Sequence, residues 1–492
     1  MKTKIAFLSA ILAALLLGSF AIPIIGADDI EYGRMAELLP SNGEIFGWIK
    51  DLWEMGYPSD IGFRQAGTPA DHQAAYYILE KFEEFGLQDT RIEPVVGWTL
   101  WTPEYWSLTI KVGDEEEAIP CSYRPYTAFT DPEGTTAEMV YVGLGMSDAN
   151  FADAEGKIVV VDLIAPGLDN DLLMRFSPYW YDPENTLPGK KATQNWPVTN
   201  LVPSYDLAIK HGAAGYIGIL NFLTDGMNEY YSPYAGILTS LTGLYVSRDV
   251  GSHLKSLLAT GTVEATMVLT GTTEPGLTYN VVGVLPGQTD EIILVTSHHD
   301  GWAANDGSGV SVVMALAKYF AQLPQNSRQR TLMFLAAGGH FLGDIPTKSF
   351  IAQHPDLLPK IVIDINIEMI AKEYKEIGGE FVETGLVSPR GLFISGPPFG
   401  VDLKLLSFAK EAIPKYELDR TTVLPASGPL GPAPPGVAAW WFLAGKPIMH
   451  FIAAPAHQFT PEDTPDKVDV NQLRPVTAAF ADIIMNIDTE YP

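Results

Sequence analysis

In VTSHHDGWAANDGSGV, residues 295–310, a β-branched apolar run ends in His298-His299-Asp300, a short turn follows and a helix begins. Side chains two apart on a strand point the same way. Asp300 is therefore placed to orient the His298 imidazole as the carboxylate behind a metal ligand. The plainer reading is two polar residues at a solvated strand end. His340 in AAGGHFLG and Glu368 in INIEMI also stand where an apolar run stops.

The elements that must position these residues are strands and helices in alternation. EIILVTSHHD, RTLMFLAAGGH, KIVIDINIEMI, GLFISG and KPIMHFIAA read as strands buried on both faces. SGVSVVMALAKYFAQL, TKSFIAQH, VDLKLLSFAKEAI and VNQLRPVTAAFADIIMNI read as helices. That order predicts an α/β fold, a mixed, mostly parallel sheet covered by helices on both faces. Ligands of such sheets collect at the carboxyl ends of the strands, where His298, His340 and Glu368 fall. Upstream, residues 28–60 look helical, and GTPADHQAAYYILEKFEEFGL is a loop leading into an amphipathic helix that stops near Gly86. From about residue 116 the chain changes to short apolar strands with a single clear helix, SYDLAIKHGAAG. The expected division is 1–27, 28–115 (N-terminal helices and first part of the α/β domain), 116–275 (a β-rich insertion) and 276–492 (the rest of the α/β domain). PASGPLGPAPPG at 425–436 is either a rim of the site or a passive connector.

Composition mainly excludes. The 492 residues carry 31 Lys and Arg against 59 Asp and Glu, a net charge of −28. Such a surface repels phosphate backbones and anionic membranes, so nucleic acid is not an expected partner. Basic MKTK, an apolar stretch and the small residue Ala27 before acidic DDIEYG read as a secretory signal. The chain is thus expected to be secreted, with an uncleaved N-terminal membrane anchor as the alternative. Cys121 is the sole cysteine, so no intramolecular disulfide forms and stability rests on packing.

Taken in order, the GTPADHQ opening, the β-rich insertion, HHD…NDGSGV, the strand into GGHFLG, INIEMI and FTPEDTPDKVD form a pattern. It resembles the zinc aminopeptidase-like family that carries an inserted protease-associated domain and includes glutamate carboxypeptidase and transferrin receptor. The resemblance spans nearly the whole chain after residue 27, and it implies that 116–275 is the protease-associated domain. Active members carry His-x-Asp, Asp-x-x-Ser-Gly, Glu-Glu-x-Gly, Asp-Met and His-Thr-x-x-Asp-Thr, which supply five ligands for two zinc ions and a glutamate base. Carried across by position, the first histidine is His298 and the Asp-Met carboxylate becomes Glu368. The bridging aspartate falls on Asn305, with Asp306 beside it. The Glu-Glu pair falls on His340 and Phe341. The last histidine becomes Phe459, with His457 two residues earlier.

In the family the first histidine and the Asp-Met carboxylate share one zinc, and the second glutamate and last histidine hold the other. Here the first pair is kept and the second has become two phenylalanines. Phe341 and Phe459 are expected to pack together as a dry plug where the second metal would sit. The resemblance implies at most one zinc, on His298, Glu368 and His340 with Asp306 nearby, a set similar to a mononuclear catalytic site. Asp300 would orient His298, and His340 would replace the missing base in part, with Asp306 or Glu373 as other candidate bases. Two readings stay open: a secreted hydrolase acting on a peptide or small amide, or a catalytically inactive protein that binds a protein partner on the peptidase scaffold. A solvent-reachable cavity joining His298, His340 and Glu368 favours the first, and a filled one the second.

Overall fold

The structure is a computed structural model and describes residues 32–56, 63–164, 167–192, 203–221, 236–378, 380–396, 400–428, 430–453 and 455–492. The expected signal or anchor, 1–27, lies outside them. Among the described residues no helix is long and apolar enough to cross a membrane.

The larger sheet has nine strands: β1 (Gln88–Val95), β2 (Tyr179–Tyr181), β3 (Thr278–Leu285), β4 (Ile292–His298), β5 (Thr331–Ala337), β6 (Ile361–Ile367), β7 (Arg390–Ser395), β8 (Thr421–Pro425) and β9 (Ile448–Ala453). Their spatial order is β1-β3-β5-β4-β6-β9-β7-β8-β2. The central run β5-β4-β6-β9 is parallel, as is β7 with β8. The pairs β1/β3, β3/β5, β7/β9 and β8/β2 are antiparallel. The sheet is mixed, and its parallel character is concentrated at the centre, where helical crossovers cover both faces.

Among the described helices that pack on this sheet are α1 (Asn42–Gly56), α2 (Pro69–Phe85), α3 (Ser308–Ala321), α4 (Ile345–Gln353), α5 (Leu403–Lys415), α6 (Ala438–Leu443) and α7 (Val470–Glu490). α1 buries Ile45, Trp48, Ile49 and Leu52, spacings of three and four that make one apolar stripe. α2 begins at Thr68, whose hydroxyl accepts from the Asp71 amide, and stops at Gly86, left-handed at φ +86°. Along β4, Ile293 and Val295 enter the core beneath α3, whereas Ile292 and Leu294 enter the core beneath α6. Each fully buried aliphatic side chain there contributes roughly 1.5–3 kcal/mol. The alternation continues to the strand end, so His298 emerges on the α6 face.

The second sheet has eight strands, in the order Glu115–Ile119, Thr99–Val112, Glu264–Pro275, Thr135–Tyr141, Ile158–Leu163, Gly215–Leu220, Gly243–Ser247 and Ser122–Tyr123. Thr99–Val112 pairs with Glu264–Pro275 from Thr99↔Pro275 to Lys111↔Glu264. This sheet therefore includes residues upstream of 116 that the sequence groups with the first module. Besides Ser204–Lys210 it carries a helix at Arg248–Leu258, capped by Ser247, which the sequence reading did not separate from the preceding strand. Leu342, just after β5, is buried in this module's core with Trp98 and Trp101. The turn carrying His340 is thus wedged between the two sheets.

Candidate metal centre

His298 ends β4 and is fully buried. Its Nδ1 lies 3.3 Å from the Asp300 carboxylate. The same carboxylate accepts from the backbone N–H of His340 (3.1 Å) and of Phe341 (3.3 Å). Asp300 therefore couples the β4 end to the His340 turn and acts through His298. Gly301, at φ +111°, makes the sharp exit that follows, and a Cβ there would overlap Asp306. The chain then forms a π-turn, Ala303–Gly307, which holds Asn305 and Asp306 before α3 begins. Asp306 Oδ2 accepts from the Trp302 amide at 2.6 Å, and Asp463 of the EDTPD segment caps the turn by accepting from the Ala304 amide at 2.7 Å.

His340 sits in a tight turn between Gly339 (φ +117°) and Gly343 (φ +68°). Its ring lies 4.5 Å from that of His298, centroid to centroid. Glu368 follows β6, and its Oε1 accepts from the Val437 amide at 3.1 Å. The Pro/Gly loop is thus a rim of the site. Gly436, at φ +74°, lies so close to the Glu368 carboxylate that a Cβ would stand 2.6 Å from Oε1.

One donor atom each from His298, His340 and Glu368 lies within 4.8 Å of the others. Asp306 Oδ1 is 3.7 Å, and Glu368 Oε2 3.8 Å, from His298 Nε2. All three of those atoms are buried without a hydrogen-bond partner. A buried polar atom left unpaired costs about 1–3 kcal/mol, so the arrangement calls for a cation. Imidazole nitrogen with carboxylate oxygen is a zinc donor set, and the residues fit one such ion. The groups of the cluster shift one another's titration. Burial works against charging His298, yet its hydrogen bond to Asp300 and the charges of Glu368 and Asp306 lift its pKa to about 9. Burial likewise opposes ionisation of Asp300, but His298 and His340 hold it down at about 2. Burial pushes Asp306 up to about 6.

Phe341 and Phe459 are both buried and form one cluster with Phe63 and Trp302. Phe341 meets the His298 ring edge-on at 5.6 Å, so this aromatic cluster borders the His298, His340 and Glu368 cluster. Two other candidates are placed elsewhere. Glu373 is paired with Arg420 at 2.8 Å, and despite its burial these contacts hold its pKa below the usual range, which removes it as a base. His457 packs between Tyr374 and Phe381, at 4.8 and 5.2 Å, rather than on the cluster.

Several supporting residues carry no motif. Arg64, fully buried, donates from Nε to His299 O (2.8 Å), from one terminal nitrogen to Leu52 O (2.8 Å) and from the other to Trp302 O (2.7 Å). His299 turns away from His298, its Nδ1 lying 3.3 Å from Asp71. Asp344 accepts from His340 Nδ1 at 2.6 Å, and their i,i+4 spacing is the one sequence signal for that pair. His450, in register with Asn366 on the neighbouring strand, is fully buried, and burial holds its pKa near 4.

Fold and site together define a mixed α/β scaffold with a buried cluster of metal-ligand residue types at the carboxyl ends of its central strands. Residues 280–385, which hold β4, His298, His340 and Glu368, match the model of Peptidase family M28. Leucine aminopeptidase 2 of Arthroderma otae is 24% identical over 388 residues, 75% of this chain and 68% of that protein. The fold is similar to that of BSAP, a zinc aminopeptidase from Bacillus subtilis, with TM-score 0.62 and 18% identity over 92% of this chain and 96% of that one. It is also similar to a Peptidase M28 precursor from Shewanella amazonensis, with TM-score 0.63 and 18% identity over 92% and 98% of the two chains. The likeness to Peptidase family M28 thus rests on residues 280–385, and both solved neighbours share the fold of the chain as a whole.

Proposed function

We propose that this chain is an exported M28-type metallohydrolase homologue that holds a single zinc ion between His298, His340 and Glu368, with Asp306 beside it. The three unpartnered atoms His298 Nε2, Asp306 Oδ1 and Glu368 Oε2 carry this reading. A bound zinc ion would polarise a carbonyl and acidify a water molecule. Of the chain's own groups, Asp300 orients His298, while Asp306 is placed to accept a proton. The substrate class is a peptide or related amide. Asn305, Phe341 and Phe459 stand at lost ligand positions, and the apolar contact of the two phenylalanines supports one ion rather than two. The Thr99–Pro275 sheet is read as a protease-associated domain, and residues 1–27 as the export signal.

A second reading, a catalytically inactive binding or interaction protein on this scaffold, is favoured by burial. His298, His340, Glu368 and Asp306 are each at most 3% exposed. The described cavity of about 690 Å³ lies elsewhere, among Tyr32, Met35, Phe320 and Tyr416. The deciding experiment measures zinc content before and after dialysis against zinc, alongside hydrolysis of aminoacyl anilides. About one zinc per chain, lost in His298→Ala, with anilide release that depends on it, supports the hydrolase. Zinc without release supports the binding protein, and no zinc in the wild type overturns the single-metal reading.

A further inference from the structure

We propose that Asp344 is the positioning residue for His340, that Trp440 fixes Asp344 in turn, and that this relay makes His340 a metal ligand. The proposal rests on the single-zinc reading and assigns roles to two residues outside the cluster itself.

Asp344 occupies the position before the first turn of α4, where an aspartate ordinarily caps the helix by accepting from a backbone N–H. It makes no such cap. Its backbone instead takes the left-handed conformation, φ +55°, an unfavourable choice for a residue with a Cβ that persists where the surroundings require it. The forgone cap and the strained backbone have one common result. The carboxylate turns back onto His340, with Oδ1 2.6 Å from Nδ1, and both side chains are at most 3% exposed. The second oxygen is held as well: the indole N–H of Trp440 donates to Oδ2 at 2.9 Å. The ammonium of Lys348, on α4, lies over the Trp440 ring at 4.6 Å.

An imidazole whose Nδ1 is held by a carboxylate offers Nε2 to a cation, in a fixed orientation and with raised basicity. Asp300 stands in the same relation to His298, at 3.3 Å. Each histidine of the cluster therefore has its own carboxylate, and the His340 pair is the shorter contact. Trp440 belongs to α6, one turn after Val437, whose amide donates to Glu368. A single short segment, Gly436–Trp440, thus contacts the third ligand directly and the second through Asp344.

The test compares wild type, Asp344→Asn, Asp344→Glu, Trp440→Phe and His340→Ala. Asn tolerates the left-handed backbone, and Trp440→Phe leaves the ring stack with Lys348 in place, so both variants are expected to fold. Zinc affinity is measured by competition with a chromophoric chelator, and the His340 tautomer by ¹⁵N NMR of the metal-free chain. Asp344→Asn should weaken zinc binding by about 10- to 100-fold and change the His340 ¹⁵N pattern, as expected for loss of a carboxylate behind a metal-bound histidine. Asp344→Glu should recover part of the affinity, and Trp440→Phe should lose several-fold. Zinc affinity and a His340 tautomer unchanged in Asp344→Asn and Trp440→Phe, with binding lost in His340→Ala, would overturn this proposal and leave the single-metal reading standing. A wild-type chain that binds no zinc removes both.

Discussion

The rings of Phe341 and Phe459 meet edge to face, with centroids 5.5 Å apart and planes at 84°. Phe459 holds this position on a left-handed backbone, φ +65°, and Trp302 closes the cluster at 6.3 and 6.4 Å from the two rings. Two phenyl rings packed in this way offer no ligand atom to an ion. Combining Asn305→Asp, Phe341→Glu and Phe459→His should raise zinc bound per chain from about one toward two. It should also lower stability of the metal-free protein by a few kcal/mol, because two aromatic fillers are lost and charge enters a dry pocket. Metal content by mass spectrometry and urea unfolding, each with and without zinc, measure both effects. Unchanged stoichiometry would show that the residue correspondence with the binuclear pattern is wrong.

Arg64 supports the ligand loop from behind. Its guanidinium bonds three backbone carbonyls, two of them, His299 O and Trp302 O, within the loop that delivers His298 and Asp306. Its backbone also pairs with Gly301 in both directions, at 3.0 and 2.9 Å. Arg64→Met should cost roughly 3–5 kcal/mol in urea unfolding, since it strands buried carbonyls and removes the positive charge facing Asp306 and Asp300. Arg64→Lys should restore only part, because an ammonium cannot span the three acceptors. A loss below about 1 kcal/mol in Arg64→Met contradicts this bracing role.

What the sequence made legible and what it did not differ physically. Strand ends at His298 and Glu368 could be read because β4 and β6 are long apolar runs stopped by polar residues. The aromatic pair could be anticipated because the resemblance sets Phe341 and Phe459 at two ligand positions of one ion, and the two rings do meet. Arg64, Asp71, Asp344 and Trp440 could not, since each contacts the site from a segment whose local pattern serves another element. An arginine in a loop and an aspartate before a helix look like solvated or capping residues until the tertiary contacts are known. α6 has six residues, too few for a helical period to stand out after a Pro/Gly loop. Glu373 is a candidate base on residue type and position alone, and His457 stands two residues before the aligned Phe459. Arg420 claims the first, and the aromatic slot between Tyr374 and Phe381 claims the second.

Gly436 is the point where the loop presses on Glu368. Its φ of +74° disfavours any L side chain, and a Cβ would stand 2.6 and 2.8 Å from the two carboxylate oxygens. Gly436→Ala should displace the carboxylate or lift the loop, with a loss of about 1–3 kcal/mol in stability and a weakening of zinc binding by tenfold or more. Gly445, also at positive φ (+79°) but with open space around its Cβ position, is the control. Gly445→Ala carries the backbone strain alone and should leave zinc affinity unchanged. Equal zinc affinities in the two variants would show that the loop does not hold Glu368 in place.

His457 gives the fold a pH dependence with a definite sign. Burial between Tyr374 and Phe381, with the Lys467 charge nearby, lowers its pKa from 6.5 to about 4. The folded chain thus keeps the ring neutral where the unfolded chain would already be protonated, so unfolding takes up a proton between those two values. The stability linked to this group is fully present above about pH 6.5 and is lost as pH falls toward 4, by at most about 3 kcal/mol. Because Asp306, raised to about 6 by burial, and other buried groups titrate in the same range, the diagnostic quantity is a difference between two chains. His457→Phe keeps an aromatic ring in the slot and removes the titration. Wild type and variant should differ by a constant amount above pH 7, and the gap should shift in favour of the variant as the pH approaches 4.5. Unfolding free energies that stay parallel across the whole range would mean that His457 is protonated as readily in the folded chain as in the unfolded one.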